Sequence, residues 1–249
     1  MGITKNISLA KQGFESSFLD LDFYNKQTAD DVHMDLLINM VSPKDNDVVL
    51  DLGTGNGYLA FPLAERYGAA KVIGLDIVDD TLKRNRKKVY DIGLDNLEFA
   101  AYDGTVFPFE NNSVDLIITR YALHHFPDLM HSFREMYRIL KLGGKIIISD
   151  PTPNKDDSCR FVDKFMQMKP DGHIRFYYLH EYKEMMMQAG FHYVSNTMTE
   201  IKFPRKEADK YSDILEATDN AILSGYDIQI IDTEIWITEK VLNMIFVKT

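Results

Sequence analysis

The chain has 249 residues, 45% of them hydrophobic and 27% charged, a composition that supplies the core of one soluble domain. Its formal net charge is −10, which repels phosphate backbones and weighs against a nucleic-acid partner. Cys159 stands alone, so an internal disulfide and a cysteine-built zinc site are both excluded, and no run is long and apolar enough to span a bilayer.

Residues 1–27 carry Phe14, Phe18, Leu21, Phe23 and Tyr24 without a clean period, which predicts an irregular or short helical arm. The stretch from Met1 to Asn6 is polar and has no apolar signal core, so a cytoplasmic protein is expected. A helix is predicted over 28–41, before Pro43. Strands and helices then alternate. Strands are expected at 48–52, 71–77, 97–102, 114–119 and 145–149, with helices to about Arg66, over 79–92 and from Asp128 to Leu140. Strands that alternate with helices imply right-handed crossovers and a parallel sheet, a doubly wound, Rossmann-like α/β fold. Apolar runs this continuous suit strands covered on both faces.

The rhythm breaks after Pro151. Residues 152–178 read as a loop-rich cap with one short helix around 158–167. A helix at 179–189 ends at Gly190, a strand runs from Phe191 to Phe203, 205–224 looks helical, and Val241 to Val247 forms a last strand. The chain is therefore read as a single domain, 1–249. Its parts are the arm and helix (1–41), the core (42–151), the cap insertion (152–178), and the C-terminal helices and strands (179–249).

The strongest local signal is Asp51-Leu52-Gly53-Thr54-Gly55-Asn56-Gly57, placed directly after a strand and opening a helix. Such a loop lies at the carboxyl end of its strand, where open α/β sheets bind ligands. Asp76 ends the next strand, where an acid accepts hydrogen bonds from ribose hydroxyls. Two adenosine-containing cofactors compete for this arrangement. The dinucleotide pattern is G-x-G-x-x-G, but the glycines here stand one residue tighter and follow an acid. Asp51 suits a cofactor without phosphate that carries an ammonium and a sulfonium group. Asp103, beside Gly104 at the end of the third strand, is placed to accept from an adenine amino group or to cap its own turn.

These pieces resemble the class I S-adenosylmethionine-dependent methyltransferases, and within them the ubiquinone/menaquinone-biosynthesis group. The matching stretches are VVLDLGTGNGYLA (48–60), VIGLDI (72–77), AAYDGTVFPFENNSVDLIITRYALHHFPD (100–128), REMYRILKLGGKIIISDPTP (134–153) and LHEYKEMMMQAGF (179–191). The resemblance implies a seven-stranded, mostly parallel sheet with an antiparallel last strand, and S-adenosylmethionine as cofactor. It also implies that Gly53, Gly55 and Gly57 wrap the methionyl part, with Asp51 and the backbone of Arg120 nearby. Asp76 would hold the ribose, Ile77 would pack on adenine, and Asp103 with Gly104 would meet the adenine amino group. The chain departs from the family in its 205–224 insertion and in carrying Thr54 and Asn56 within the loop, both expected to be tolerated.

Methyl transfer from a sulfonium depends on positioning and desolvation, with a base needed only for a protonated acceptor. His124 and His125 sit where the family places substrate-facing residues, and are the candidate bases. Tyr24, Tyr121, His173 and Arg175 are the candidate acceptor contacts, in the arm, the loop after the fourth strand and the cap. No metal site is expected, because Asp150 has no convincing companions. The expected acceptor is a small molecule, enclosed by arm and cap. Two other readings stay open. A protein or nucleic-acid methyltransferase is opposed by the acidic charge and by Arg120-Tyr121-Ala122-Leu123, where many amino-group nucleic-acid methyltransferases carry an Asn-Pro-Pro-Tyr-type tetrapeptide. A dehydrogenase-like or non-catalytic nucleotide-binding module is opposed by the loop spacing and Asp103.

Overall fold

The apolar runs do become the strands of one sheet. The computed structural model describes residues 2–28 and 30–249, with every side chain among them except those of Leu21, Tyr24, Gln27 and Thr28. The first five strands are β1 (Val48–Leu52), β2 (Lys71–Asp76), β3 (Leu97–Ala101), β4 (Val114–Arg120) and β5 (Leu140–Thr152). They run parallel in the order 3-2-1-4-5. β8 (Glu234–Lys248) lies antiparallel between β5 and β6 (Phe191–Lys206), and the short β7 (Gln229–Ile231) pairs back onto β8. The parallel strands with an antiparallel strand near the edge match the expected sheet. One extra strand, β7, follows the 205–224 insertion.

Both faces of the sheet are covered, as the unbroken apolar strands require. Leu50, Leu52, Ile117 and Ile148 face α6 (Leu129–Ile139) and α8 (Leu179–Gln188), meeting Phe133, Met136, Tyr182 and Met186. Val49, Val72, Ile118 and Ile147 face α3 (Asp31–Val41) and α4 (Ala60–Arg66), meeting Leu37, Ile38, Val41 and Leu63. Each such side chain stabilises the fold by roughly 1.5–3 kcal/mol relative to exposure. The helix ends follow local chemistry. α5 (Asp79–Ile92) stops at Gly93, which takes φ 70°, and Asp128 starts α6 by accepting from the His131 N–H at 2.9 Å.

Three regions differ from expectation. The arm is two helices, α1 (Ile3–Ser17) and α2 (Leu21–Thr28), and α3 begins only after Asp30, whose side chain accepts from the His33 N–H. β5 begins at Leu140, before Gly143-Gly144. Val114 pairs with Leu140 and Leu116 with Lys145, so the glycines form a bulge inside a strand rather than a turn before it. The 205–224 segment is not one helix. Arg205 and Lys206 still belong to β6, and α7 (Phe161–Gln167), a 3-10 turn at Ala208–Tyr211, α9 (Ser212–Glu216) and α10 (Asn220–Gly225) cover the far ends of β6 and β8. Asp219 accepts from the Ala221 N–H and so starts α10 afresh, breaking the helical run. No helix among the described residues is long and apolar enough to cross a membrane.

Gly74, in β2, joins core packing to the loop that follows β1. A Cβ there would stand 2.5 Å from the Phe99 ring and 2.8 Å from Thr54 Oγ1. Gly74→Val is expected to lower the unfolding free energy by ~1–3 kcal/mol. Urea denaturation reads this, and an unmoved midpoint would show that the strand has room for a side chain.

Candidate active site

The glycine loop is tied down by two backbone hydrogen bonds and two side chains, Asp76 and Asn85. The N–H groups of Gly53 and Thr54 donate to the Leu75 carbonyl at 2.8 and 3.1 Å, tying the loop to the end of β2. The Gly55 N–H donates to Asp76 Oδ2 at 2.8 Å, and the Val78 N–H donates to Asp76 Oδ1 at 3.0 Å. From the other side, Asn85 of α5 donates its amide to the Gly55 carbonyl at 2.8 Å. Gly53 and Gly55 have φ of 74° and 52°, a region that disfavours a Cβ. Gly57 also has positive φ, 80°, and a Cβ there would meet the Phe61 ring at 2.6 Å as well.

Two buried carboxylates flank this loop. Thr54 donates its hydroxyl to Asp51 Oδ2 at 2.7 Å. Burial pushes the Asp51 carboxyl up to about 7, the Thr54 bond opposing it. Burial also raises Asp76, against the hydrogen bonds from Gly55 and Val78. Each carboxylate oxygen has more than one acceptor direction, so Asp76 keeps capacity for further donors.

Over the loop opens a cleft of about 950 Å³, open solvent at its mouth included. Of the residues anticipated from the sequence, Asp51, Gly53, Thr54, Gly55, Asp76, Ile77, Gly104, Arg120, Tyr121 and His125 line it. Asp103 does not. It is exposed, and its Oδ1 accepts from Thr105 N, Thr105 Oγ1 and Val106 N at 2.8, 2.7 and 3.0 Å, so it caps its own turn. Tyr102, which sequence reasoning passed over, lines the cleft beside Gly104. The roof is α1, through Ile7, Ala10, Phe14 and Phe18. Its seat is tight: a Cβ on Gly13 would lie 2.4 Å from Asp171 Cα, and one on Gly104 would lie 3.0 Å from Ile7. Small residues let helix and cap meet backbone to backbone.

A second cavity, of about 550 Å³, adjoins the first and shares Phe14, Tyr121 and His125 with it. It lies over the ends of β4 and β5 under α1 and the cap. Its far end holds Lys169, Asp171, Arg205 and Glu239, none of them anticipated from the sequence. Arg205 carried a legible signal, because the alternation of Ile201, Phe203 and Arg205 puts an arginine on an inward face.

The candidate histidines are buried and discharged. His124 Nδ1 lies 2.9 and 3.1 Å from the Asp150 carboxylate oxygens, and Tyr182 donates to Asp150 Oδ2 at 3.0 Å. Burial and the neighbouring His173 hold His124 well below the usual imidazole range, and burial with His124 pushes His125 down to about 3. Both are neutral at physiological pH and have little affinity for a proton. His173 and Arg175, anticipated as acceptor contacts, line neither cavity. His173 Nε2 is 3.0 Å from Asp163, and Arg175 pairs with Glu181 at 2.6 Å on the surface. Tyr24, anticipated for the same role, has its side chain outside the described residues. Among the described residues no group of three or more histidine, cysteine, aspartate or glutamate side chains is placed to hold a metal.

A 3-2-1-4-5 parallel order extended by an antiparallel strand, with a glycine loop after β1 and an acid after β2, is the arrangement of class I methyltransferases. The profile of the methyltransferase domain family matches residues 43–219. The chain belongs to that family, among the class I S-adenosylmethionine-dependent methyltransferases. It is 35% identical to a demethylmenaquinone methyltransferase of Lactococcus lactis over 100 residues, 40% of this chain and 40% of that protein. It is 29% identical to an uncharacterized methyltransferase of Bacillus subtilis, YcgJ, over 64% of this chain and 63% of that one. The chain thus matches less than two thirds of the length of either relative. A putative methyltransferase from Bacillus halodurans shares the fold with a TM-score of 0.77 at 22% identity, covering 86% of this chain and 98% of that one.

The raised Asp51 carboxyl makes a prediction for stability. Below the unfolded value of 3.8 both states hold the proton and Asp51 contributes nothing. As pH rises from there to about 7, the unfolded chain releases the proton while the folded one keeps it, so stability falls across this window and stays lower above it. Asp51→Asn keeps an acceptor for Thr54 and removes the penalty. It is expected to raise stability by ~1–4 kcal/mol near pH 8 and to leave it unchanged near pH 3. Thermal unfolding at the two pH values checks this, and equal shifts at both would exclude an ionisation effect.

Proposed function

We propose that the protein transfers the methyl group of S-adenosylmethionine to a small molecule held in the second cavity. The observation that carries this is the pair of adjoining cavities, one at the glycine loop and Asp76, the other beyond a shared wall of Phe14, Tyr121 and His125. The groups around the first cavity fit the cofactor. Asp76 retains acceptor capacity for ribose hydroxyls, Ile77 and Tyr102 offer apolar faces for a purine, and Gly104 leaves room beside them. Asp51, buried against its own ionisation, gains from a cationic neighbour, which suits the ammonium and sulfonium and not a pyrophosphate. When bound, S-adenosylmethionine supplies an already activated methyl group, so what remains for the chain is orientation and exclusion of water.

The discharged histidines favour transfer by positioning. His125, held down to about 3, is a wall between the cavities rather than a proton acceptor. The small-molecule reading rests on partial enclosure: α1 lines both cavities through Phe14 and is seated on the cap at Gly13 and Asp171. The Lactococcus relative is named for a small-molecule acceptor, which agrees with this reading.

Isothermal calorimetry tests the cofactor. S-adenosylhomocysteine is expected to bind and NAD is not. Asp76→Ala, which removes charge-assisted bonds worth ~1.5–3 kcal/mol each, is expected to weaken S-adenosylhomocysteine at least about tenfold. Binding of NAD in place of S-adenosylhomocysteine would sink the reading, and an unchanged dissociation constant in the variant would remove Asp76 from the site.

A further inference from the structure

The far end of the second cavity holds charge that the protein itself leaves unmatched. β6 and β8 pair with Ile201 opposite Glu239, Phe203 opposite Ile237 and Arg205 opposite Ile235. The two-residue period therefore puts Arg205 and Glu239 on one face, among apolar side chains. Arg205 is 7% exposed and Glu239 1% exposed. Among the described residues Arg205 Nε has no hydrogen-bond partner. Its Nη1 reaches the neighbouring Pro204 carbonyl at 3.5 Å, its Nη2 reaches Met166 Sδ at 3.4 Å, and its guanidinium carbon stands 4.5 Å from the centre of the Phe203 ring. No carboxylate among the described residues comes within 4.0 Å of it. Glu239 Oε1 is likewise buried without a partner. A buried guanidinium with such weak company is unfavourable until an anion meets it.

The balance of charge says which sign is missing. Lys169 pairs with Asp171 at 3.2 Å, and these two cancel. Burial pushes the Glu239 carboxyl up to about 8, against the pull of Arg205, so near neutral pH it is mostly uncharged. Arg205 is left as one net positive charge at the end of a cavity whose remaining wall includes Phe14, Pro151, Met166, Phe176 and Phe203. The opposite end, at Tyr121 and His125, opens toward the cofactor cleft. A ligand filling this space has an apolar body, its methyl-accepting atom near the shared wall, and an anionic group at Arg205. One net charge suits a monoanion, and the planar fork of Nε and a terminal nitrogen suits a carboxylate.

We propose that the methyl acceptor is a carboxylic acid on an apolar, ring-sized body, and that Arg205 is the residue that selects it. This rests on the cofactor and acceptor reading above. Binding to the protein loaded with S-adenosylhomocysteine tests it, using benzoate, 2-naphthoate and 4-phenylbutyrate against their neutral primary amides, which have nearly the same shape. The carboxylates are expected to bind about tenfold or more tightly than the amides. Arg205→Met is expected to abolish that preference without weakening S-adenosylhomocysteine, whose site Arg205 does not line, and Arg205→Lys to restore part of it. Should Arg205→Met fail to fold, the wild-type comparison and Arg205→Lys still decide. Amides that bind as well as carboxylates, no binding of either series at millimolar concentration, or a preference that survives in Arg205→Met would each overturn the inference. Failure of S-adenosylhomocysteine to bind the wild-type protein would overturn the underlying reading, and this one with it.

Discussion

The Asp76 carboxylate is the point on which the site depends. It ends β2, sits buried, and takes the Gly55 N–H on one oxygen and the Val78 N–H on the other. One side chain thereby fixes the glycine loop after β1 and the entry into α5, two elements that no strand pairing connects at that level. Asn85 closes the bracket from α5 by holding the Gly55 carbonyl. The parallel sheet brings the ends of β1, β2 and β4 to one edge, but parallel pairing alone does not shape a cradle. The buried acid does, because leaving either its oxygens or the loop N–H groups unpaired would be unfavourable.

The site is built at the expense of stability. Asp51, Asp76, Asp150 and Glu239 are all buried acids whose protons are held more tightly than in water, with desolvation as the main cause. Among the described residues, none has a lysine or arginine ion pair within 4.0 Å. Asp51, Asp76 and Asp150 are met by hydrogen bonds within the fold, whereas Glu239 Oε1 is buried without a partner among the described residues. The histidines near Asp150 follow the same logic from the other side, since burial discharges them and makes them packing groups.

Enclosure comes from an element far from the sheet. α1 belongs to the first twenty residues, yet it roofs both cavities through Phe14 and is seated on the cap through the Gly13–Asp171 approach. The cap in turn extends beyond residues 152–178. β6 and β8 run past the edge of the core sheet and carry a third hydrophobic cluster, with α7, α9 and α10 packed on it. Those strand extensions are what place Arg205 and Glu239 in a cavity.

The local sequence determined the scaffold. The apolar runs, Gly93 after α5, Asp128 before α6 and the glycines after β1 each act within a few residues, so the core strands and helices and about half of the cleft lining were legible. The extended arm of β6 was not, because the helical look of 205–224 conceals the pairing of Arg205 and Lys206 with Ile235 and Glu234. Nor could the sequence tell that Asp103 turns to Thr105 and Val106, that His173 turns to Asp163, or that Arg175 turns to Glu181. A polar side chain satisfies itself with whichever partner stands within about 3 Å, and its spacing along the chain does not say which one that is. Asn85 against Gly55, Phe14 against His125 and Arg205 opposite Ile235 join residues 30 or more positions apart. Only the packed chain brings them together, and it is that packing which sets the glycine loop beside a second cavity lined by Arg205 and Glu239.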